Sequence, residues 1–251
     1  MAIKVAVAGA LGQMGRETCK ALLAEDDLKL VGGFARVSGK PSLAQELWNE
    51  PSGAGGLLYD DVTDLYDDAK PEVVVDFTYY PTTVDVAREA VERGISPIVG
   101  ATGWTDEDRT SFESMCDEYE VGAAIVPNFA IGAVLAMRFA ESAARYFPTV
   151  EIIEMHSDRK RDAPSGTAKL TAERIAAGGG PSDVPIHSVR LRGLVAHQAV
   201  IFGGDGETLN IRHDSLSRTS FMSGVLLAVR GVRSLKRLVL GLDWFLGDFE
   251  G

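Results

Sequence analysis

The sequence predicts an α/β protein: a doubly wound parallel sheet with an inserted α+β domain whose own sheet is mostly antiparallel. Short apolar runs alternate with helical patterns over residues 3–146, and this alternation is typical of a parallel sheet with helices on both faces. Over residues 149–212, strand-like runs follow one another with a single helical pattern among them. We therefore predict a first domain formed by 1–129 and 217–251, and a second domain formed by 130–216.

The composition excludes several kinds of partner. The 251 residues are 45% hydrophobic and carry a formal net charge of −11, which argues against a nucleic acid or an anionic membrane as partner. No apolar run is long enough to span a bilayer. Cys19 and Cys116 lack disulfide spacing, and the four histidines lack the pairing typical of zinc ligands. We predict a cytoplasmic protein without a metal site.

The first strand leads into a glycine-rich turn. The apolar run 3–8 predicts a buried strand; Gly9, Gly12 and Gly15 follow, and a helical pattern covers 16–24. Strand, glycine turn and helix are the context in which a Rossmann-type sheet binds the pyrophosphate of a dinucleotide. The spacing is G-x-x-G-x-x-G rather than G-x-G-x-x-G, so a glycine turn without a ligand remains an alternative.

The end of the second strand bears on the choice of cofactor. Strand 28–34 ends at Ala35 and Arg36, where NAD-binding proteins usually place an acid for the ribose hydroxyls. An arginine without an acid suits the 2′-phosphate of NADPH, because guanidinium binds phosphate bidentately. Lys40 lies just beyond and is a possible helper. The alternative is an ordinary exposed arginine.

The rest of the first domain continues the alternation. We predict strands at 72–77, 97–100 and 122–126, helices at 83–93 and after a capping box that begins at Thr105, and a loop with one short helix over 38–54. The turns at Thr78, Gly100 and Asn128 follow three of these strands, as Gly9 follows the first. Ligands of such sheets bind at the carboxyl ends of the strands.

In the second domain, a loop carries the residues with the clearest chemistry. Strands are predicted at 149–155, 186–191, 195–202 and 207–212, and helices at 132–146 and 167–177; a further helix at 221–232 and an apolar tail at 235–246 return to the first domain. His156 and Lys160 lie on the loop before helix 167–177, where an acid–base group can be displayed. The N–H groups of Ser165, Gly166 and Thr167 at the helix start predict a site for a carboxylate or phosphate. A solvated basic loop before a capped helix is the alternative.

Five motifs in order resemble a known family. They are Glu154-x-His156-x-x-x-Lys160-x-Asp162-Ala-Pro-Ser-Gly-Thr167, Val7-Ala-Gly-Ala-x-Gly-x-Met-Gly-Arg16, Asp76-Phe-Thr78, Pro127-Asn-Phe129, and Leu194-Val-Ala-His197-Gln198 with Arg212-His-Asp-Ser215. Over essentially its whole length the chain resembles the 4-hydroxy-tetrahydrodipicolinate reductases, also called dihydrodipicolinate reductases, of the diaminopimelate route to lysine. The resemblance implies reduction of this cyclic dicarboxylate to tetrahydrodipicolinate by hydride from NADPH, the preferred cofactor, or NADH.

The resemblance also implies roles for residues. His156 would be the proton donor or acceptor and Lys160 a proton donor. The expected substrate-binding residues are Ser157, Ser165, Gly166 and Thr167. The expected cofactor-binding residues are Gly9, Ala10, Leu11, Gly12, Gln13, Met14, Arg36, Gly100, Ala101, Thr102, Val126, Pro127, Asn128 and Phe129. A homotetramer that pairs the sheets of the second domain is expected as well.

Departures from the family pattern and two rival functions remain open. Ala35 replaces an acid and Tyr79 an arginine of some relatives, so the expected preference for NADPH is modest; the segment 178–185 is shorter than in many relatives. One rival is another dehydrogenase on this scaffold. Its semialdehyde-oxidising form would need an activated cysteine, a role for which Cys116 looks unsuited. The other rival is a dinucleotide-sensing module without catalysis.

Overall fold

The computed structural model describes residues 2–49 and 53–247, which form two compact units. The first comprises 2–129 and 222–247, and the second 130–221. The boundaries between the two units therefore lie at 129/130 and 221/222, whereas the sequence predicts boundaries at 129/130 and 216/217. The second boundary lies later because a 3-10 helix at Arg218–Phe221 belongs to the second unit.

The secondary structure follows the predicted alternation. The strands are β1 (Ile3–Ala8), β2 (Leu28–Phe34), β3 (Leu57–Tyr59), β4 (Val73–Asp76), β5 (Ser96–Val99), β6 (Ala123–Ile125), β7 (Thr149–His156), β8 (Ile186–Arg190), β9 (Ala196–Gly204), β10 (Glu207–Ser215) and β11 (Leu238–Leu240). The helices are α1 (Gln13–Leu23), α2 (Leu43–Trp48), α3 (Val62–Ala69), α4 (Thr82–Glu92), α5 (Asp106–Tyr119), α6 (Ile131–Ala144), α7 (Gly166–Ala177) and α8 (Met222–Gly231).

The first unit contains a parallel sheet in the order β11-β6-β5-β4-β1-β2-β3. Strand order reverses between β1 and β4, so the connections that follow these two strands lead away in opposite directions. The crevice between them is a topological switch point, the usual ligand position of such sheets. Every residue of β4 is buried, as expected for a strand covered on both faces. The predicted doubly wound sheet is confirmed.

Three elements of this unit were not predicted from the sequence. β3 and β11 each have only three residues, too few to show a hydrophobic period, and only their pairing with β2 and β6 makes them strands. α3 begins at the N-cap Asp61, whose carboxylate accepts hydrogen bonds from the N–H groups of Thr63 and Asp64. The short helix expected within 38–54 is α2.

The second unit contains a mixed sheet in the order β10-β9-β7-β8. β9 pairs antiparallel with β7 and β10, whereas β7 and β8 are parallel, so the predicted, mostly antiparallel sheet is confirmed. One face packs against α6 and α7 in a core that contains Val150, Ile152, Ile175, Val200 and Phe202, all buried. The alternation of strand residues places Glu154 on this covered face, two residues beyond Ile152.

The part of the chain that the structure describes has neither a membrane-spanning helix nor a cluster of metal ligands. None of the helices in 2–49 and 53–247 has both the length and the apolar character needed to cross a membrane. Within the same ranges, no group of three or more His, Cys, Asp or Glu side chains is arranged to hold a metal ion.

Candidate active site

The predicted catalytic residues lie where β7 passes into a loop before α7. β7 ends at His156, and α7 begins at Gly166. Ser165 is the N-cap: its buried hydroxyl accepts a hydrogen bond from the Ala168 N–H at 3.3 Å, as the sequence predicts for a helix start of this kind. An ideal Cβ added to Gly166 would meet nothing within 4 Å, so the start of α7 is open to a ligand.

A polar cleft of about 790 Å³ surrounds this loop. Its lining residues are His156, Ser157, Asp158, Arg159, Lys160, Arg192, Gly193, Leu194, Val195 and Arg218. Four of them are Lys or Arg and one is an acid, so the cleft is cationic although the whole chain carries a net charge of −11. Such a cleft attracts an anionic small molecule.

The cleft joins some of the predicted site residues and not others. His156, Ser157 and Lys160 share it, whereas the predicted anion site at Ser165, Gly166 and Thr167 is not part of its lining. Both groups remain on one short stretch of chain between β7 and α7. The described geometry therefore supports the acid–base residues as one cluster and the helix start as a separate feature beside it.

His156 is held by a buried carboxylate. Its Nδ1 lies 2.5 Å from Oε2 of Glu154, whose side chain is fully buried. Arg190 grips the same carboxylate with both terminal nitrogens, at 2.7 Å from Oε1 and 3.0 Å from Oε2. Burial alone would raise the pKa of Glu154, but hydrogen bonds from Arg190, Ser188 and His156 together hold that pKa below its ordinary value.

The histidine itself is mostly buried, and its pKa is lowered. Burial disfavours the imidazolium, and this outweighs the hydrogen bond and charge of Glu154, which favour it; the charges of Lys160 and Arg190 lower the pKa further. His156 is therefore mostly neutral at neutral pH, with a carboxylate poised to stabilise a proton when one arrives.

Lys160 is positioned by its own loop. Its Nζ lies 2.9 Å from Oδ2 of Asp162, and its backbone N–H donates to the backbone carbonyl of Ser157 at 3.0 Å. The hydrogen bond from Lys160 lowers the pKa of Asp162. The ammonium group is partly exposed and lines the cleft, so it can meet a bound anion while Asp162 orients it.

Arg190, Arg192 and Arg218 were not predicted as site residues. They stand about 30 to 60 residues beyond His156, on or after later elements. The pairing of Glu154 with Ser188 and of His156 with Arg190 in the parallel β7–β8 ladder brings β8 alongside the site. The only sequence signal was position: Arg190 is the next-to-last residue of the predicted strand 186–191, and a charged residue near a strand end does not by itself indicate a functional site.

In the first unit, the glycine turn after β1 is tightly constrained. Gly9 has φ +75°, and an ideal Cβ there would lie 2.8 Å from the Phe77 carbonyl oxygen. A Cβ on Gly15 would lie 2.2 Å from the Gly9 carbonyl oxygen. Gly12 is the N-cap of α1 and has no side chain to occupy the first N–H groups of that helix. Those N–H groups, on Gln13 and Met14, suit an anionic pyrophosphate.

Arg36 lies beside this turn, where it shares a cleft with Leu11. It is exposed and lines a cleft of about 700 Å³ together with Leu11, Val37, Ser38, Pro41, Glu46 and Asp60. Lys40 does not belong to that cleft. Its ammonium pairs with Asp68 at 2.7 Å and Asp64 at 3.1 Å and lies over the Tyr59 ring, so the expectation that Lys40 helps to bind a phosphate is not supported.

The predicted nicotinamide-side residues gather at the carboxyl ends of β5 and β6. The N–H of Gly100 donates to the Asp76 carbonyl, and that of Val126 to the Val99 carbonyl, both at 2.8 Å. A Cβ on Gly100 would lie 2.5 Å from the Phe77 ring. These bonds fix the segments that contain Ala101, Thr102, Pro127, Asn128 and Phe129 along one edge of the sheet.

Comparison with known proteins agrees with both units. The sequence profile "Dihydrodipicolinate reductase, N-terminus" matches residues 3–129, and "Dihydrodipicolinate reductase, C-terminus" matches 132–246. The chain belongs to the dihydrodipicolinate reductase family. It is 44% identical to the 4-hydroxy-tetrahydrodipicolinate reductase of Moorella thermoacetica over 96% of this chain and 97% of that protein. It is also 44% identical to that of Geobacillus kaustophilus over 98% and 100%.

Solved structures give the same assignment. The dipicolinate-bound dihydrodipicolinate reductase of Paenisporosarcina sp. TG-14 matches with a TM-score of 0.85 and 38% identity, over 98% of this chain and 100% of that chain. An amine dehydrogenase of Mycobacterium smegmatis has a TM-score of 0.70 at 13% identity, which shows a shared fold alone.

Family membership removes the rival of a semialdehyde dehydrogenase, and the cysteines agree with this. Cys19 and Cys116 are both free and buried. Burial raises the pKa of each thiol to about 12. A thiol of this kind is not a nucleophile at neutral pH.

Proposed function

We propose that this protein reduces 4-hydroxy-tetrahydrodipicolinate to tetrahydrodipicolinate with a nicotinamide dinucleotide, as a step of lysine and diaminopimelate biosynthesis. The observation that carries the proposal is the cationic cleft in which His156 and Lys160 lie together, in a chain that belongs to the reductase family throughout its length. A doubly charged dicarboxylate suits such a cleft. A dinucleotide-sensing module would not need an acid–base pair there.

The second unit would bind the substrate and manage its protons. Lys160 and the N–H groups of Gly166 and Thr167 would hold carboxylates, with Ser157 and Ser165 beside them. Loss of the 4-hydroxyl group as water would give a conjugated imine. Hydride addition to that imine leaves a negative charge shared by the nitrogen and a carbon of the conjugated system, so a positioned acid must supply a proton. Lys160 would donate that proton, and His156 would accept or donate one.

The first unit would hold the cofactor, which supplies the hydride when bound. Close packing at Gly9 and Gly15 leaves the turn free of side chains and lets a phosphate approach the backbone. The pyrophosphate would contact Gly9, Ala10, Leu11, Gly12, Gln13 and Met14. The nicotinamide half would contact Gly100, Ala101, Thr102, Val126, Pro127, Asn128 and Phe129.

We expect NADPH to be preferred over NADH by a modest margin. Arg36 can bind the 2′-phosphate with its planar fork, but Glu46 and Asp60 line the same cleft and oppose a further negative charge. Arg36→Ala is expected to raise KM for NADPH and to leave KM for NADH nearly unchanged. Steady-state kinetics with each cofactor measures both values.

Lys40→Ala is the matched control for Arg36→Ala. Lys40 is a nearby cation, but Asp64 and Asp68 occupy its ammonium group, so its loss should leave the ratio of the two KM values unchanged. NADH as the better substrate of the unmodified enzyme would contradict the role of Arg36.

We further propose a homotetramer in which copies of the second unit pair through their sheets. The face opposite α6 and α7 carries Ile153, Met155, Val189 and Ile201, all half-buried. This apolar patch, bordered by the exposed His187–Glu151 ion pair, suits a subunit interface with a hydrophobic core and a polar rim. Sedimentation is expected to give about four times the 26.9 kDa chain mass, and Ile153→Glu a smaller species. A monomeric unmodified protein would contradict the proposal.

The reaction is tested with 4-hydroxy-tetrahydrodipicolinate that a synthase forms in the same assay, because this substrate is labile. Absorbance of NADPH is expected to fall only when enzyme and substrate are both present. A purified, folded protein that binds NADPH and consumes none would overturn the proposed function.

A further inference from the structure

Arg190 and Glu154 form a pair directly behind the acid–base histidine. The side chain of Glu154 is fully buried on β7, and that of Arg190 is mostly buried at the end of β8. Two N–H groups of the guanidinium bind the two carboxylate oxygens at 2.7 and 3.0 Å. A buried carboxylate stays ionised only when it is paired with a cation and hydrogen-bonded. Arg190 therefore keeps Glu154 ionised and fixed in orientation.

Glu154 in turn determines which ring nitrogen of His156 is available. Oε2 of Glu154 accepts the proton of His156 Nδ1 at 2.5 Å. With Nδ1 engaged, Nε2 is the nitrogen that can exchange a proton in the cleft that His156 lines. An ionised partner also stabilises the imidazolium that forms when Nε2 accepts a proton, which is the role of the orienting acid in catalytic triads.

The same guanidinium reaches the loop that carries Lys160. Arg190 Nη2 donates to the carbonyl of Asp162 at 2.8 Å, and Nη1 donates to its neighbour Val189 at 2.8 Å. The carboxylate of Asp162 holds the ammonium of Lys160. One side chain thus binds both the acid behind His156 and the residue that orients Lys160.

From these contacts we infer that Glu154 and Arg190 are positioning residues of the reductase: Glu154 fixes the tautomer and proton affinity of His156, and Arg190 aligns Glu154 with the Lys160 loop. The inference deepens the proposed function and rests on it for the roles of His156 and Lys160. The groups that face the imidazole are Glu154 on its own strand, Arg190 on β8 and Lys160 on the loop. The competing explanation is an ion pair that serves stability alone.

Two variants separate these explanations. Glu154→Gln keeps the shape of the side chain and removes its charge, so kcat is expected to fall roughly 10- to 1000-fold while KM for the substrate changes less than about threefold. Arg190→Lys keeps the charge but cannot serve four acceptors at once. It is expected to raise KM, because the loop at Asp162 loses a bond, and to lower kcat less than Glu154→Gln.

A readout that does not depend on turnover is the titration of the His156 ring protons by NMR, assigned by their absence in His156→Ala. Because Glu154 favours the imidazolium, Glu154→Gln is expected to move this titration to lower pH. Glu173→Gln, the same change at an exposed position of α7, should leave both kcat and the titration unchanged.

The outcomes distinguish the two levels of the proposal. An unchanged His156 titration in Glu154→Gln, or kcat within about threefold of the unmodified enzyme, overturns the positioning role even if the reductase activity stands. An unmodified protein without reductase activity overturns the proposed function, while the titration still reports whether Glu154 controls His156. Unchanged NADPH affinity in each variant shows that the protein is folded.

Discussion

Replacement of Lys160 or His156 by alanine is expected to lower kcat at least about 100-fold, the usual contribution of a positioned acid–base group. His156→Ala removes the ring that Glu154 holds, and Lys160→Ala removes the ammonium that Asp162 holds in the cleft. Steady-state kinetics with the dicarboxylate substrate measures both. NADPH affinity, followed by fluorescence, should survive because the predicted cofactor residues all lie in the first unit.

The two variants should differ in inhibitor binding. Pyridine-2,6-dicarboxylate is a planar mimic of the substrate. Because Lys160→Ala removes a charged hydrogen-bond donor, this compound should inhibit the variant roughly tenfold or more less strongly than the unmodified enzyme. His156→Ala should change it little. Arg161→Ala is the control: it is an exposed cation on the same loop that is not part of the cleft lining. Near-normal kcat in both catalytic variants would remove these residues from the mechanism.

Gly15→Ala is expected to abolish tight binding of the dinucleotide. An ideal Cβ at this position lies 2.2 Å from the Gly9 carbonyl oxygen and 2.8 Å from Cα of Ala10, and both are backbone atoms that cannot rotate away. The turn must therefore move, at a cost of about 1–3 kcal/mol or more in stability. The affinity for NADPH, measured by fluorescence quenching, should fall at least about tenfold because the N–H groups after Gly12 lose their alignment.

Gly53→Ala is the matched control, since a Cβ there would meet nothing within 4 Å. It should leave both the melting temperature and the affinity for NADPH unchanged. If Gly15→Ala binds NADPH as the unmodified protein does, the glycine turn is not the pyrophosphate site.

Much of the first unit could be predicted because its signals are local. The run Ile3–Ala8, the glycines after it and the helix that follows are contiguous in sequence. The residue pattern of each predicts its conformation without reference to distant residues. The capping box at Thr105 and Asp108 is equally local, and both of its hydrogen bonds form. The strands β3 and β11 could not be predicted, because three residues show no period of their own. Only their hydrogen bonds to the neighbouring strands β2 and β6 make them strands.

The candidate site follows the same rule. His156, Lys160 and Ser165 stand close together in sequence, and their chemistry can be recognised from their types and spacing. Arg190 is 36 residues from Glu154, and no periodicity links them. The parallel pairing of β7 with β8 is what brings the guanidinium to the carboxylate. Lys40 shows the reverse case: its sequence position suits a phosphate ligand, but Asp64 and Asp68 bind it instead.

Hydride transfer from a nicotinamide to a cyclic dicarboxylate is the reaction that this chain is expected to catalyse. Its most direct test uses NADPH deuterated at the transferring position and freshly formed 4-hydroxy-tetrahydrodipicolinate, with the product analysed by mass spectrometry. We expect tetrahydrodipicolinate that carries one deuterium from the cofactor, and at least about 100-fold less of this product with Lys160→Ala over the same time. Oxidation of the cofactor without deuterium in a dicarboxylate product, or no oxidation at all by the folded enzyme, would contradict it.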